Sequence, residues 1–380
     1  MRFCWLSNGP WTPSGYGQQT RLFAHRIAAL GHQIGIIAYH GLEGGVLQIA
    51  PNLTVLPKRF HPYGNDIAVN HCRAFGAQFM ISLTDIWVMN VEEYPQNFKW
   101  IPWYPVDHDP MPPIIHQKLN SAWRRIAMSK FGVEQSHIAG VDCWYIPHGV
   151  ETGVLHPVDK AEARGRLGLP KDKYIVGTVA MNKGNPSRKN FVEMMEAFAR
   201  CKRRHKDWFY FLQTDPGGYP GADMVDIRAL ARGLGLIDGE DYGYCNQYQN
   251  AVGFPPPYFA DLYSAFDVHL LVSAGEGFGI PILEAQACGT PVITSGWTAN
   301  KELCLAGRMV DKTDAEPWYT PQQSYQFKPR VSAIESLLEA EFRNPTSTKK
   351  AVETIKAEYD ADVIVETKWK PYLAEIEAAL

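Results

Sequence analysis

The chain has 380 residues, 46% of them hydrophobic and 20% charged, so it can bury a substantial core and is not a disordered polymer. Thirty-seven Lys and Arg against 40 Asp and Glu leave a net charge of −3, which excludes generic coating of nucleic acid. No run of about 18 apolar residues occurs, and Met1–Pro10 breaks too early for a signal-peptide core, so the sequence reads as soluble, unexported and not integral to a membrane.

In chain order, Arg2–Leu6 predicts a strand that leads into a loop ending in Gly15-Tyr16-Gly17. From about Gln18 to Leu30 the apolar residues Leu22, Phe23, Ile27 and Leu30 recur at helical spacing, and Gly31 ends the helix. Gln33–Tyr39 is the next apolar run, which completes a βαβ unit. Further strands at Phe79–Leu83, Trp100–Val106 and Arg125–Met128 extend a parallel sheet to about residue 147. Ile146–Thr152 is loop-like and the α/β rhythm restarts after Pro157, so the boundary is placed at 150, with domains 1–150 and 151–361. In the second domain, strands are predicted at Tyr174–Val179, Trp208–Gln213, Val268–Val272 and Val292–Thr294. Helices are predicted at Asn190–Arg200 and at Pro281–Cys288, the latter with Pro in its first turn and Gly289 past its end. The tail from Val331 is helical and charged. Seven cysteines, odd in number, scattered and without a C-x-x-C pair, argue against a disulfide framework or a thiolate zinc site and fit a cytoplasmic protein.

The most informative stretch is Ser273-Ala274-Gly275-Glu276-Gly277-Phe278-Gly279-Ile280-Pro281-Ile282-Leu283-Glu284-Ala285. It places a loop at the C-terminal end of a strand and then opens a helix, the position where open α/β sheets bind ligands. Free amides there, with the helix dipole, suit a phosphate group, and Gly277 and Gly279 permit close backbone approach. Glu276 and Glu284 would repel phosphate and are better matched to neutral hydroxyls. Together they call for a ligand that carries both phosphate and sugar.

Glu276 and Glu284 enclose seven residues, and this spacing resembles the E-x7-E motif of the retaining GT-B glycosyltransferases of family 4, the glycosyl transferases group 1. The run from Tyr263-Ser264-Ala265-Phe266-Asp267-Val268 to Ala287-Cys288-Gly289-Thr290-Pro291-Val292 resembles the family signature nearly throughout, and Ile146–Thr152 resembles its interdomain segment, with His148 for Asn and Glu151 for Asp. The resemblance implies an α/β GT-B fold, two Rossmann-like domains facing each other across a cleft, with a last helix at about 362–380 that returns to the first domain. It implies that Glu284 binds the ribose of a nucleotide sugar, with UDP the default nucleotide, and that Glu276 and the amides of Gly277, Phe278, Gly279 and Ile280 hold the transferred sugar and diphosphate. Lys189 matches the family lysine that neutralises the diphosphate. The companion arginine is missing at Met181-Asn182, and Arg188 is the candidate substitute, with Lys183 as the alternative. His108, with Asp107 beside it, matches a histidine that approaches the donor sugar or acceptor, and Gly15, Tyr16 and Gly17 sit where the family has a glycine-rich loop. Retention of configuration and no essential metal are implied as well.

Other readings compete. Asp107-His108-Asp109 has the form of the D-x-D metal clamp of a different glycosyltransferase fold. Gly15-Tyr16-Gly17-Gln18-Gln19-Thr20 is half a dinucleotide fingerprint, without its third glycine. The basic run Arg200–Lys206 could touch nucleic acid or be a solvated helix end. A glycoside hydrolase would use two carboxylates but leaves the lysine and glycine loop unexplained. A non-catalytic nucleotide-sugar or nucleic-acid binding module, and transfer to a modified DNA base, are further alternatives. No motif names the acceptor, which could be a glycan, lipid, protein, small molecule or modified base, and none fixes the oligomeric state.

Overall fold

Near-continuous Val, Ile, Leu and aromatic runs, buried on both faces, form the central strands, and the helices between them cover those faces. The computed structural model describes residues 1–380 and divides into two compact units. The first comprises Met1–Glu151, Pro321–Ser324 and Glu358–Leu380, and the second Thr152–Thr320 and Tyr325–Ala357. The second unit thus ends at 357 rather than 361 and lacks the four residues 321–324, which sequence periodicity gave no means of assigning.

The first unit holds strands β1 (Arg2–Asn8), β2 (Gln33–His40), β3 (Leu47–Ala50), β4 (Leu53–Pro57), β5 (Phe79–Leu83), β6 (Lys99–Tyr104), β7 (Ile126–Ala127) and β8 (Trp144–Tyr145). They form one sheet in the order β3-β4-β2-β1-β5-β6-β7-β8, parallel except for the edge strand β3. Its first helix runs Gly15–Ala29, three residues earlier than the apolar spacing alone predicts. Ser14 is the reason, because its side chain caps the helix by accepting from the Gly17 amide at 3.1 Å. Gly15, Tyr16 and Gly17 are therefore the first helical turn and not a loop. Residues 358–380 complete this unit: Val150 bridges to Asp360, and the buried Trp369 meets Trp103 edge-on at 5.1 Å. Trp5 and Phe23 lie 5.7 and 6.1 Å from the same ring, so four aromatic residues fix the returning segment.

The second unit holds β9 (Tyr174–Val179), β10 (Trp208–Gln213), β11 (Tyr242–Tyr244), β12 (Val268–Leu271), β13 (Val292–Ser295) and β14 (Gly307–Val310), all parallel, in the order β11-β10-β9-β12-β13-β14. The strand order reverses direction between β9 and β12, which is the switch point where an α/β sheet opens a crevice. A hairpin of β15 (Ala315–Tyr319) and β16 (Tyr325–Pro329) follows. The core under the sheet includes Phe191, Met194, Met195 and Phe198 from the helix Phe191–Arg204, packed with Trp208, Tyr210 and Leu270. No helix is long and apolar enough to cross a membrane, and all seven cysteines are unpaired.

Candidate active site

Loops after β9 and β12 meet at the switch point. The Ala274 amide donates to the Arg188 carbonyl at 2.8 Å, and Asn190 Nδ2 donates to the Val272 carbonyl at 2.8 Å. Asn190 adopts φ +52, which asparagine tolerates, and the turn it makes brings Arg188 and Lys189 onto the β12 loop. Glu276 is 6% exposed, and its carboxylate is ion-paired with the Lys189 ammonium and, at 3.1 Å, with Arg188. Burial by itself would raise the Glu276 carboxyl, but the Arg188 and Lys189 charges outweigh it and hold it at about 2. Arg188 also donates to the Gly275 carbonyl. Of the two candidates for the missing arginine, Arg188 reaches Glu276, whereas Lys183 is exposed.

Helix Ile280–Ala287 opens behind this group with Gly279 at φ +105 and Pro281 in its first turn. A Cβ on Gly279 would lie 2.9 Å from Asn300 Oδ1, so only glycine fits there. No side chain caps this helix, and the amides of Gly277, Gly279 and Ile280 donate to no protein acceptor, the condition for holding an anion. Phe278 in the same turn is buried. Glu284 is buried further along the helix, and Tyr263 donates its hydroxyl to Glu284 Oε2 at 2.7 Å.

In the first unit, Tyr16 donates to Asp85 Oδ1 at 2.9 Å, and His108 Nδ1 lies 2.7 Å from Asp107 Oδ1. Asp85 follows β5 and the Asp107–His108 pair follows β6, so both pairs stand beyond the C-terminal ends of neighbouring parallel strands. His108 is 2% exposed. Gly17 is a glycine for a packing reason, since a Cβ would lie 2.4 Å from the Thr12 carbonyl oxygen and 3.0 Å from that of Gly9. No group of three or more His, Cys, Asp or Glu side chains is arranged to hold a metal ion. His148 is a core residue, edge-on to Trp103 at 4.6 Å and pushed down to about 3 by burial.

Three members of the basic run after residue 199 are ion-paired within the second unit, and Arg203 and Lys206 are exposed. Arg204 pairs with Glu335 and Glu339, each at 2.8 Å, Lys202 with Asp241 at 2.9 Å, and Arg200 with Glu196 at 2.6 Å. Sequence reasoning gave no role to Tyr263, Asn190 or Thr298. An Asn immediately before an apolar helical run marked Asn190 as a helix boundary, but nothing local marks the other two. Asn182, at the position of the missing arginine, instead clamps the loop after β10 by donating to the carbonyls of Asp215 and Val225 and accepting from the Val225 amide.

Residues 226–320 match the family model described as glycosyl transferases group 1, and the whole chain has the fold of solved GT-B glycosyltransferases. Residues 226–320 therefore resemble the group 1 glycosyl transferases, and the likeness of the whole chain to the solved GT-B structures is one of fold. Among curated proteins, the chain is 32% identical over 173 residues to a D-inositol 3-phosphate glycosyltransferase of Acidothermus cellulolyticus, a match that covers 44% of this chain and 37% of that relative. The chain thus spans little more than a third of the length of the curated relatives that it matches. Among solved structures, a sucrose-phosphate synthase from Thermosynechococcus elongatus superposes over 100% of both chains with a TM-score of 0.76 at 18% identity. Anabaena HepE in complex with UDP and glucose does so with a TM-score of 0.65 at 17% identity, again over 100% of both chains.

Proposed function

We propose that the chain is a retaining glycosyltransferase that moves a sugar from a nucleoside diphosphate sugar, UDP-linked by preference, to a hydroxyl of an acceptor, without an essential metal. The observation that carries this reading is the buried Glu276 carboxylate held between Lys189 and Arg188 beside a helix turn with three unused amides. A departing diphosphate gains negative charge, and two cations and a helix N-terminus stabilise that charge as it develops. Glu276 accepts hydroxyls of the transferred sugar, and Glu284, oriented by Tyr263, accepts the ribose hydroxyls. Within the first unit, His108, with Nδ1 2.7 Å from Asp107, is the residue that the family resemblance assigns to a sugar or acceptor hydroxyl. The UDP and glucose bound by the Anabaena neighbour support the choice of donor, and the curated relatives make an inositol phosphate the first acceptor to try. The unpaired cysteines support a reducing, cytoplasmic setting. A hydrolase would use the two carboxylates but leaves the Lys189 and Arg188 charges and the unused helix-turn amides without a task.

The test is isothermal titration and donor hydrolysis with UDP-, GDP- and ADP-sugars in EDTA, native chain against Glu284→Ala. Micromolar binding of one donor, lost by about 2 kcal/mol in the variant, supports the reading. Binding that requires Mn²⁺ and ignores Glu284 would replace it with a site at Asp107 and Asp109, and release of sugar from a nucleotide-free glycoside would restore the hydrolase.

A further inference from the structure

Thr298 lies at φ +51, in the left-handed region, although its side chain is β-branched and only 5% exposed. Glycine or asparagine would take this backbone more easily. What threonine supplies is its hydroxyl: Oγ1 accepts the Glu276 amide at 3.1 Å and donates to the Trp297 carbonyl at 2.8 Å. The next amide, that of Ala299, donates to the Glu276 carbonyl at 3.4 Å, and the Trp297 indole donates to the Ala274 carbonyl at 2.8 Å. Residues 297–299 therefore grip Glu276 by both of its backbone groups, while its carboxylate meets Lys189 and Arg188. Strain at a buried, hydrogen-bonded residue next to a ligand loop persists only where its surroundings impose it.

We propose that Thr298 is a positioning residue, whose hydroxyl locks the Glu276 backbone so that the carboxylate meets the transferred sugar in a single orientation. The catalytic consequence rests on the glycosyl-transfer reading, whereas the grip on Glu276 does not.

The experiment compares the full-length chain with Thr298→Ser, Thr298→Val and Thr298→Gly by amide hydrogen exchange at Glu276, thermal unfolding, and UDP-sugar hydrolysis. Thr298→Ser should behave as the native chain. In Thr298→Val, exchange at the Glu276 amide should quicken about tenfold as its hydrogen bond is lost. The kcat should fall about ten- to a hundredfold while donor KM stays within about threefold, because misorientation costs the transition state more than the ground state. Thr298→Gly loses the same hydrogen bond but relieves the backbone strain, so it should share the kcat loss and melt no lower than Thr298→Val. Native exchange and kcat in Thr298→Val, or a kcat loss in Thr298→Ser equal to that in Thr298→Val, would overturn the proposal. If the native chain turns over no nucleotide sugar, the glycosyl-transfer reading fails. Exchange at Glu276 then decides the role of Thr298: faster in Val and restored in Ser supports it, and equal rates overturn it.

Discussion

The Tyr263 hydroxyl donates to Glu284 at 2.7 Å, and both groups are buried. The tyrosine comes from the helix Pro256–Ala265 that precedes β12, and the glutamate from the helix that follows it. Burial, and then the Glu284 charge, push the Tyr263 phenol well above its usual range, so it remains a donor at every physiological pH. Tyr263→Phe removes that donor from the Glu284 carboxylate. Donor affinity, measured by titration calorimetry, should fall by about 1–2 kcal/mol. An unchanged Kd would mean that the tyrosine orients nothing the ligand uses.

The Glu276 carboxyl gives a stability prediction with a definite sign. It is held at about 2 in the folded chain, below the usual carboxylate range, so its contribution is complete above about pH 4.5 and is lost as pH falls towards 2. The contribution is of the order of 3 kcal/mol. Urea midpoints of the native chain and Glu276→Gln should differ clearly at pH 7 and converge between about pH 4.5 and 2. A difference that is constant over that range would sink the assignment of the ion pairs.

Gly17 answers to packing. Because the atom a Cβ would strike is the Thr12 backbone oxygen, at 2.4 Å, Gly17→Ala must displace the loop itself. A loss of about 1–3 kcal/mol of stability is expected, together with weaker turnover, since Tyr16 in the same turn is bonded to Asp85. A Gly17→Ala chain that melts and turns over like the native one contradicts this.

His108 Nδ1 lies 2.7 Å from Asp107 Oδ1, and a carboxylate in that place orients the imidazole ring. Asp107→Asn should therefore lower kcat about tenfold or more with donor Kd unchanged. Equal losses in both would show that the pair serves donor binding instead.

Trp369 anchors residues 358–380. It is fully buried against Trp103, Trp5 and Phe23, but its indole nitrogen has no hydrogen-bond partner. Trp369→Ala should cost about 3–5 kcal/mol. Trp369→Phe gives up no hydrogen bond and should cost well under half of that, as chemical denaturation will show. Equal losses would mean that the indole nitrogen has a partner after all.

The residues alone determined a good deal. β5, β9 and β10 fall at the predicted Phe79–Leu83, Tyr174–Val179 and Trp208–Gln213, because each is an apolar run between turn residues and needs no distant partner to be recognised. The loop from Ser273 into the Ile280–Ala287 helix was legible for the same reason, since its glycines and Pro281 act on their own backbone. The helical start at Gly15–Gly17 is local as well: Ser14 caps it, against the low helical preference of glycine. Tertiary structure decided what distant groups share. In the basic run from Arg200, Lys202 and Arg204 pair with Asp241, Glu335 and Glu339, which lie 39 to 135 residues further along the chain. Arg188 rather than Lys183 joined Lys189 on a carboxylate 87 and 88 residues further along the chain, and Thr298, at φ +51, accepts the amide of that same glutamate. Periodicity and punctuation are local, but an ion pair or a strained dihedral depends on which remote segments the sheet order brings together, and that order is read only from the folded chain.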